Sequence, residues 1–493
     1  MGAWSAFALW FVYSRGWTFY YGDAEAHWNI ARQIFDSQTP GYDQIGTVWL
    51  PLPHVLLMPL ARVDRWWQLG LVAAIPSALS FVAACGFLFA AVRRLLDSAA
   101  AAAVSTIVFA TNPNAAYLQS IPMTEPLFWA SLAGLLYFTV RFGQTREWGA
   151  AIGAALACCV GTLTRYEAWF LIPFVAAYLA LRAKRRRFAV AAVFSVLAAL
   201  GPVYWLAHNW WVAGDPLDFY RGPYSPLAIQ GPVVYPGRGN WRQAALYFRT
   251  AAQLCAGSGL WWAGLAGTLA LLLKRIFWPV LLLALPGAFY VWSMHSAASP
   301  IFVPTLWPNT FYNTRYGLAI LPLLAVGSAG LVAWTPRRAS PVAAVLVVAI
   351  GSLYWASHRG PENWITWKES AVNSEGRREW VLQAARYLGP RYLRGTGIVT
   401  ASGEFRAVSR QLGIPLRESV AVNNGLRWFA TVRRPDLFLS QEWALVMGGD
   451  QAQSGVNRAG RYGIRYRLEK TIIVKDSPVI EIYRRIGGRH GTA

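Results

Sequence analysis

The sequence predicts an α-helical polytopic membrane protein with a C-terminal α/β domain, and three observations carry that reading. Hydrophobic residues make up 55% of the 493 positions and charged residues only 14%, with 26 tryptophans. Apolar residues fall in long blocks rather than in alternation, as expected of helices that face lipid or one another. From about residue 358 the blocks shorten and polar residues return, which marks a change of solvent.

With ~20 apolar residues needed per crossing, about eleven spanning segments are expected, near 2–20, 66–92, 99–112, 120–141, 147–164, 166–183, 188–212, 247–273, 276–295, 315–335 and 340–357. The first run has neither a basic start nor a small-x-small cleavage site, so it reads as a retained helix rather than a signal peptide. Short basic loops mark the cytoplasmic face. Here Arg93-Arg94, Arg141 with Arg146, "RAKRRR" at 182–187, Lys274-Arg275 and Arg337-Arg338 recur after every second crossing. This pattern places the amino terminus inside and, for an odd number of crossings, the tail outside. The expected organisation is a membrane domain over 1–357 and a soluble extracytoplasmic domain over 358–493.

The net charge of +22 is explained by those cytoplasmic anchors and by the tail, which holds 22 basic against 12 acidic residues. Nucleic acid is therefore not the expected partner. Cys85, Cys158, Cys159 and Cys255 lie in apolar runs without ligand spacing and read as buried small residues.

Residues capable of chemistry gather in the loops of the opposite face. The first of these contains "FYYGDAEAHWNIARQIF", with Asp23, Glu25 and His27 directly after the first apolar run. The second has "TNPNAAYLQSIPMTEP", with Glu125, and the third "TRYEAW", with Arg165 and Glu167. Later loops bring "HNWWVAGDPLDFYRGPYSP", with Tyr220 and Arg221, and "NTFYNTRYGL", with Arg315 and Tyr316. Charges at membrane depth are costly and tend to face a cavity with partners, so their concentration on one face marks a site.

The acidic pair after the first helix, followed in order by "TPGYDQIGTVWLPLPHVLLMP", "NPNAAYLQSIPMTEPLF", "LTRYEAW" and "YNTRYGLAILP", resembles bacterial members of the GT-C superfamily of membrane glycosyltransferases. That group is related to the protein O-mannosyltransferases and to the aminoarabinose transferases that modify lipid A. The resemblance spans residues 15 to 335. It implies a GT-C membrane domain in a bacterial-type inner membrane. It also implies a mannosyltransferase-like activity that moves a sugar from a polyprenyl-phosphate donor to a lipid, glycan or protein acceptor on the outer face. A base just after the first helix is implied as well, which falls on Asp23 with Glu25 as partner.

An inverting transfer needs a carboxylate to take the acceptor proton and cations to hold the departing phosphate. Asp23 suits the first role; the alternative is an N-cap for a short helix. Spacing leaves open whether Glu25 binds acceptor, orients a metal or is itself the base, because residues two apart share a face of a strand but lie about 200° apart around a helix. His27 is a candidate metal ligand, with a hydrogen-bonded interfacial histidine as the alternative. His54 sits in the proline-punctuated "GTVWLPLPHVLLMP", suited to lying on the surface; it is read either as an acceptor or carrier contact or as a packed belt residue. Glu125 requires a partner, either a basic group or metal, or the positive end of the helix it opens.

Arg165 and Glu167 form an intra-turn ion pair or, for Arg165, a phosphate clamp. Arg315 beside Tyr316 is the stronger phosphate candidate, with snorkelling as its alternative. Tyr220 and Arg221 are weaker candidates in a loop, 213–246, long enough to act as a lid. A divalent metal is a candidate cofactor.

In the tail, "SEGRREWVLQAARYL" reads as a helix and "GIVT", "DLFLS", "KTIIV" and "VIEIYRR" as strands, with a further helix near 403–412. "ASGEF" lacks the glycine spacing of a dinucleotide site. A transporter of lipid-linked or anionic saccharides is the alternative function, and it predicts paired half-sequences that the chain does not display.

Overall fold

The computed structural model describes residues 1–231, 235–296 and 298–487. They divide into two compact units. The first comprises Met1–Trp17, Thr47–Pro53 and Ala74–Ser370; the second comprises Thr18–Gly46, His54–Ala73 and the chain from Ala371 onward.

The first unit is helical, and each of the eleven expected stretches contains a helix. Five described helices are long and apolar enough to cross a membrane: Ile75–Leu96, Arg187–Ala213, Phe277–His295, Thr314–Val332 and Ser340–Ser357. Two of them keep most of their apolar surface uncovered by protein, with only 28% of the Arg187–Ala213 span and 11% of the Ser340–Ser357 span buried. Val342, Val345, Leu346 and Leu353 are all exposed. Apolar surface of this extent is stable only against lipid.

The expected span 247–273 is instead two helices, Trp241–Ala256 and Ser258–Leu273, bent by 111°. The break is at Gly257, whose φ of +76° interrupts the helical ladder. A Cβ there would lie 2.9 Å from the Tyr354 ring and 3.1 Å from that of Trp355. The expected span 66–92 is likewise divided. Asp64–Leu69 forms a short helix closed by a left-handed Gly70, and the long helix starts only at Ile75. "GTVWLPLPHVLLMP" supplies the ten-residue helix Leu52–Ala61, about 15 Å long and too short to cross.

Helices Ser258–Leu273 and Leu321–Val332 meet through glycines. A Cβ on Gly267 would sit 1.8 Å from the Gly327 carbonyl oxygen, and one on Gly327 would sit 2.2 Å from that of Gly264. Small residues let two backbones in lipid approach closely enough to gain dispersion energy. Gly267→Val is therefore expected to force the helices apart and to cost at least about 1–3 kcal/mol. Thermal unfolding in detergent checks this, and an unchanged midpoint would contradict the close packing.

The second unit is an α/β sandwich. Its strands are β1 (Ile398–Thr400), β2 (Ser419–Ala421), β3 (Trp443–Met447), β4 (Arg465–Ile472) and β5 (Ile480–Gly487), in the order β2-β1-β3-β5-β4. β2, β1 and β3 run parallel, while β5 and β4 are antiparallel additions. The period of two assigns the faces. Ile398, Trp443, Leu445, Ile480 and Ile482 pack against Trp380, Leu388 and Val408, whereas Val399, Val420, Ala444 and Val446 pack against Trp428 and Val456. "DLFLS", expected as a strand, begins as the helical turn Pro435–Phe438, because Pro435 at the first helical position favours that start. β2 and β3 were not expected.

Candidate functional site

Within the first unit, four segments build one buried ion cluster. Glu125 is the first residue of the helix Glu125–Thr145, next to Pro126, and is 5% exposed. Its Oε1 accepts from Arg315 Nε at 3.1 Å and pairs with Arg165 Nη1 at 3.0 Å. Its partners are thus guanidiniums, in addition to the positive helix end it occupies. Arg165, in the turn before the helix Glu167–Arg182, spreads its donors over three more groups. Nε reaches Glu167 Oε1 at 2.6 Å, Nη1 reaches Thr124 Oγ1 at 2.6 Å and Nη2 reaches Tyr290 Oη at 2.5 Å. Tyr290 in turn donates to Glu167 Oε1 at 2.7 Å.

Arg165 thus forms the intra-turn pair and also bridges three segments. The guanidiniums of Arg165 and Arg315 lie 5.4 Å and 5.3 Å from the centre of the Tyr316 ring. That ring stacks on Tyr290 at 4.5 Å. Two guanidiniums against two carboxylates leave the cluster charge-balanced, which makes burial tolerable.

Arg315 is held from behind. Asn313, at a left-handed φ of +53°, turns the chain into the 3₁₀ segment Thr314–Ile320. Glu369, 3% exposed, accepts from Asn313 N at 3.1 Å and from Thr314 N at 2.8 Å, and also from the Thr314 hydroxyl. Hydrogen bonds to a charged group are worth about 1.5–3 kcal/mol. Glu369→Gln turns one acceptor into a donor facing Thr314 and is expected to cost about that much. Thermal unfolding and a matched transfer assay check it. Unchanged stability would remove Glu369 as the anchor of the Arg315 turn.

Asn112 and Asn114 are structural. Both side-chain amides donate to the Cys255 carbonyl at 3.0 Å, fixing the chain beside the Gly257 bend. Arg221 forms an exposed pair with Asp215 at 2.6 Å, and Tyr220 is 48% exposed. Their loop forms the short helices Asp218–Arg221 and Pro226–Gln230; residues 232–234 lie outside the described residues.

Within the second unit, "GDAEAHWNIARQ" is the helix Gly22–Gln33, with Tyr21 rather than Asp23 at its N-cap. Asp23 and Glu25 therefore point to sides of a helix about 200° apart. Glu25, 7% exposed, accepts a two-pronged bond from Arg410, Nε to Oε1 at 2.7 Å and Nη2 to Oε2 at 2.9 Å, and a third from Asn29 Nδ2 at 3.0 Å. Glu25 is thereby committed to the fold. Asp23 is half-buried in the first turn. His27 Nδ1 lies 2.9 Å from His54 Nε2, with both rings buried. Among the described residues no three His, Cys, Asp or Glu side chains cluster to hold a metal ion. Glu125 is joined to arginines, an arrangement that does not fit a bound cation there.

Sequence reasoning missed Tyr290, Thr124, Glu369 and Arg410. Tyr290 offered a weak signal, as a phenol inside the apolar helix Phe277–His295, where a hydroxyl needs a partner. Arg410 offered none, being one of many tail arginines.

Apolar helices in this number, with a buried ion cluster at their ends, define a polytopic membrane protein. Its fold is shared with two solved structures of one protein. The chain is similar to the crystal structure of ArnT from Cupriavidus metallidurans bound to undecaprenyl phosphate, with a TM-score of 0.56 at 15% identity, covering 97% of each chain. It is similar to the same protein in the apo state with a TM-score of 0.52 at 14% identity, covering 93% of each. Residues 68–211 match the dolichyl-phosphate-mannose-protein mannosyltransferase family. No curated protein matches the sequence.

Proposed function

We propose that the protein is an inverting glycosyltransferase that moves a sugar from a polyprenyl-phosphate carrier to an acceptor hydroxyl on the outer face of the membrane. The amino terminus is then cytoplasmic and the 358–493 domain extracytoplasmic. The observation that carries this reading is the buried cluster of Arg165 and Arg315 on Tyr316, in a fold shared with a protein crystallised with undecaprenyl phosphate. Planar guanidiniums present paired donors matched to phosphate oxygens. Glu125 and Glu167 orient them.

Asp23 takes the acceptor proton as that oxygen forms its bond to the anomeric carbon. The bond from the anomeric carbon to the phosphate oxygen breaks, and its electron pair leaves with the carrier phosphate. Charge gathers on that phosphate in the transition state, where Arg165 and Arg315 stabilise it. Asp23 is supported by its place in the first turn of the helix that follows the first, by its half-exposed position, and by the engagement of its neighbour Glu25 with Arg410.

The test uses purified protein, a panel of radiolabelled polyprenyl-phosphate sugars and an envelope extract as acceptor. Transfer of label from one carrier to an acceptor is expected, and it identifies the sugar. If label instead crosses sealed vesicles while still on its carrier, the protein is a transporter and the proposal fails.

A further inference from the structure

The second unit contains a polar cavity where its sheet should be sealed. The face of β1, β2 and β3 that carries Ile398, Trp443 and Leu445 is otherwise apolar, yet Thr400 and Ser419 occupy it. With Gln33, Arg406, Ser409 and Asn423 they line a cavity of ≈ 420 Å³, its open mouth included. Thr400 and Gln33 are each 4% exposed. Thr400 Oγ1, Ser419 Oγ and Gln33 Oε1 are buried and have no hydrogen-bond partner. Each such atom costs about 1–3 kcal/mol unless something fills its bond, so three on one cavity point to a missing partner.

Arg406 fixes the sign of that partner. Its Nη2 donates to Asn423 Oδ1 at 2.9 Å, and among the described residues no carboxylate pairs with it. Two other arginines of this unit that are withdrawn from solvent have acids: Arg32 has Asp36 and Arg410 has Glu25. The cavity wall strips water from the Arg406 guanidinium and pulls it down to about 10, below its ordinary range. A cation in such a place is stabilised by an anion that also accepts from two hydroxyls. Gln33 Oε1 is an acceptor and calls for an O–H on the ligand. A hydrogen phosphate or a singly protonated phosphate monoester carries both acceptors and that O–H, whereas a carboxylate lacks it.

We propose that this cavity binds a phosphate-class oxyanion, with Arg406 facing its charge, Thr400 and Ser419 donating to its oxygens and Gln33 accepting its proton. This site is independent of the transfer reaction and of the Arg315 cluster.

The test is equilibrium binding of ³²P-labelled inorganic phosphate to the full chain in detergent at constant ionic strength. Wild type is expected to bind saturably at millimolar phosphate. Arg406→Gln and the double variant Thr400→Val with Ser419→Ala are each expected to bind at least about tenfold more weakly. Arg315→Gln is expected to retain this site, which separates it from any phosphate held in the first unit. The Val/Ala variant removes hydroxyls that bond nothing in the free protein, so its unfolding temperature should equal or exceed that of wild type. Weaker binding there is then not a loss of fold. Competition by glucose 1-phosphate would assign the site to a phosphorylated glycan, and its absence to the free ion; either supports an oxyanion site. Absent binding by wild type, or undiminished binding by both variants, overturns it.

Discussion

Asp23→Asn is expected to lower sugar transfer by about 10²–10⁴-fold, the range of a lost general base, while the protein unfolds at the wild-type temperature. Asn keeps the size and the hydrogen-bonding reach of the side chain but cannot take a proton. Glu25→Gln, two residues on, should behave in the opposite way. It weakens a two-pronged bond to Arg410 in a buried setting, and breaking such a pair costs about 3–5 kcal/mol. Its folded fraction should then retain most of its turnover. The pair of variants separates chemistry from architecture within one turn of a helix. If Asp23→Asn retains full turnover, Asp23 is not the base.

Arg315→Gln is expected to lose about 10²–10³-fold in turnover, the penalty for removing one donor aimed at developing charge. Arg315→Lys should recover only part of it, since an ammonium is a point charge without the planar fork. The variant also strands Glu125 with Arg165 alone, so stability must be read in parallel. The decisive measurement is kcat against KM for the carrier-linked sugar. A phosphate ligand that acts mainly in the transition state lowers kcat more than it raises KM. A folded Arg315→Gln with wild-type kcat and KM would mean that the guanidinium only neutralises Glu125.

The helices were legible because a lipid-facing segment must be apolar along its length, and no other constraint writes so long a signal. The bend at Gly257 was not, since one glycine among Cys255, Ala256 and Ser258 leaves hydropathy unchanged while its φ of +76° redirects the chain. In the tail, the helix Glu375–Leu388 was legible from its apolar stripe, whereas β2 has only three residues, too few for a period of two to stand out. The roles of the acids were the least legible. Glu125 announced that it needed a partner, yet the identity of that partner came from positions 165 and 315, which only folding brings together. Glu25 and Arg410 illustrate the same limit at greater range. Their bond crosses 385 positions and carries no local trace.

That span has a consequence for biosynthesis. The helix Gly22–Gln33 leaves the ribosome early, but the arginine that closes on Glu25 is made 385 residues later. At about 5–20 residues per second, translation alone imposes a delay on the order of tens of seconds. During this interval Trp28 and Ala31 lack Leu416, the tail residue of their cluster. A nascent chain truncated before residue 400 should therefore present this helix to proteases or chaperones, and the full-length protein should protect it only once synthesis has ended.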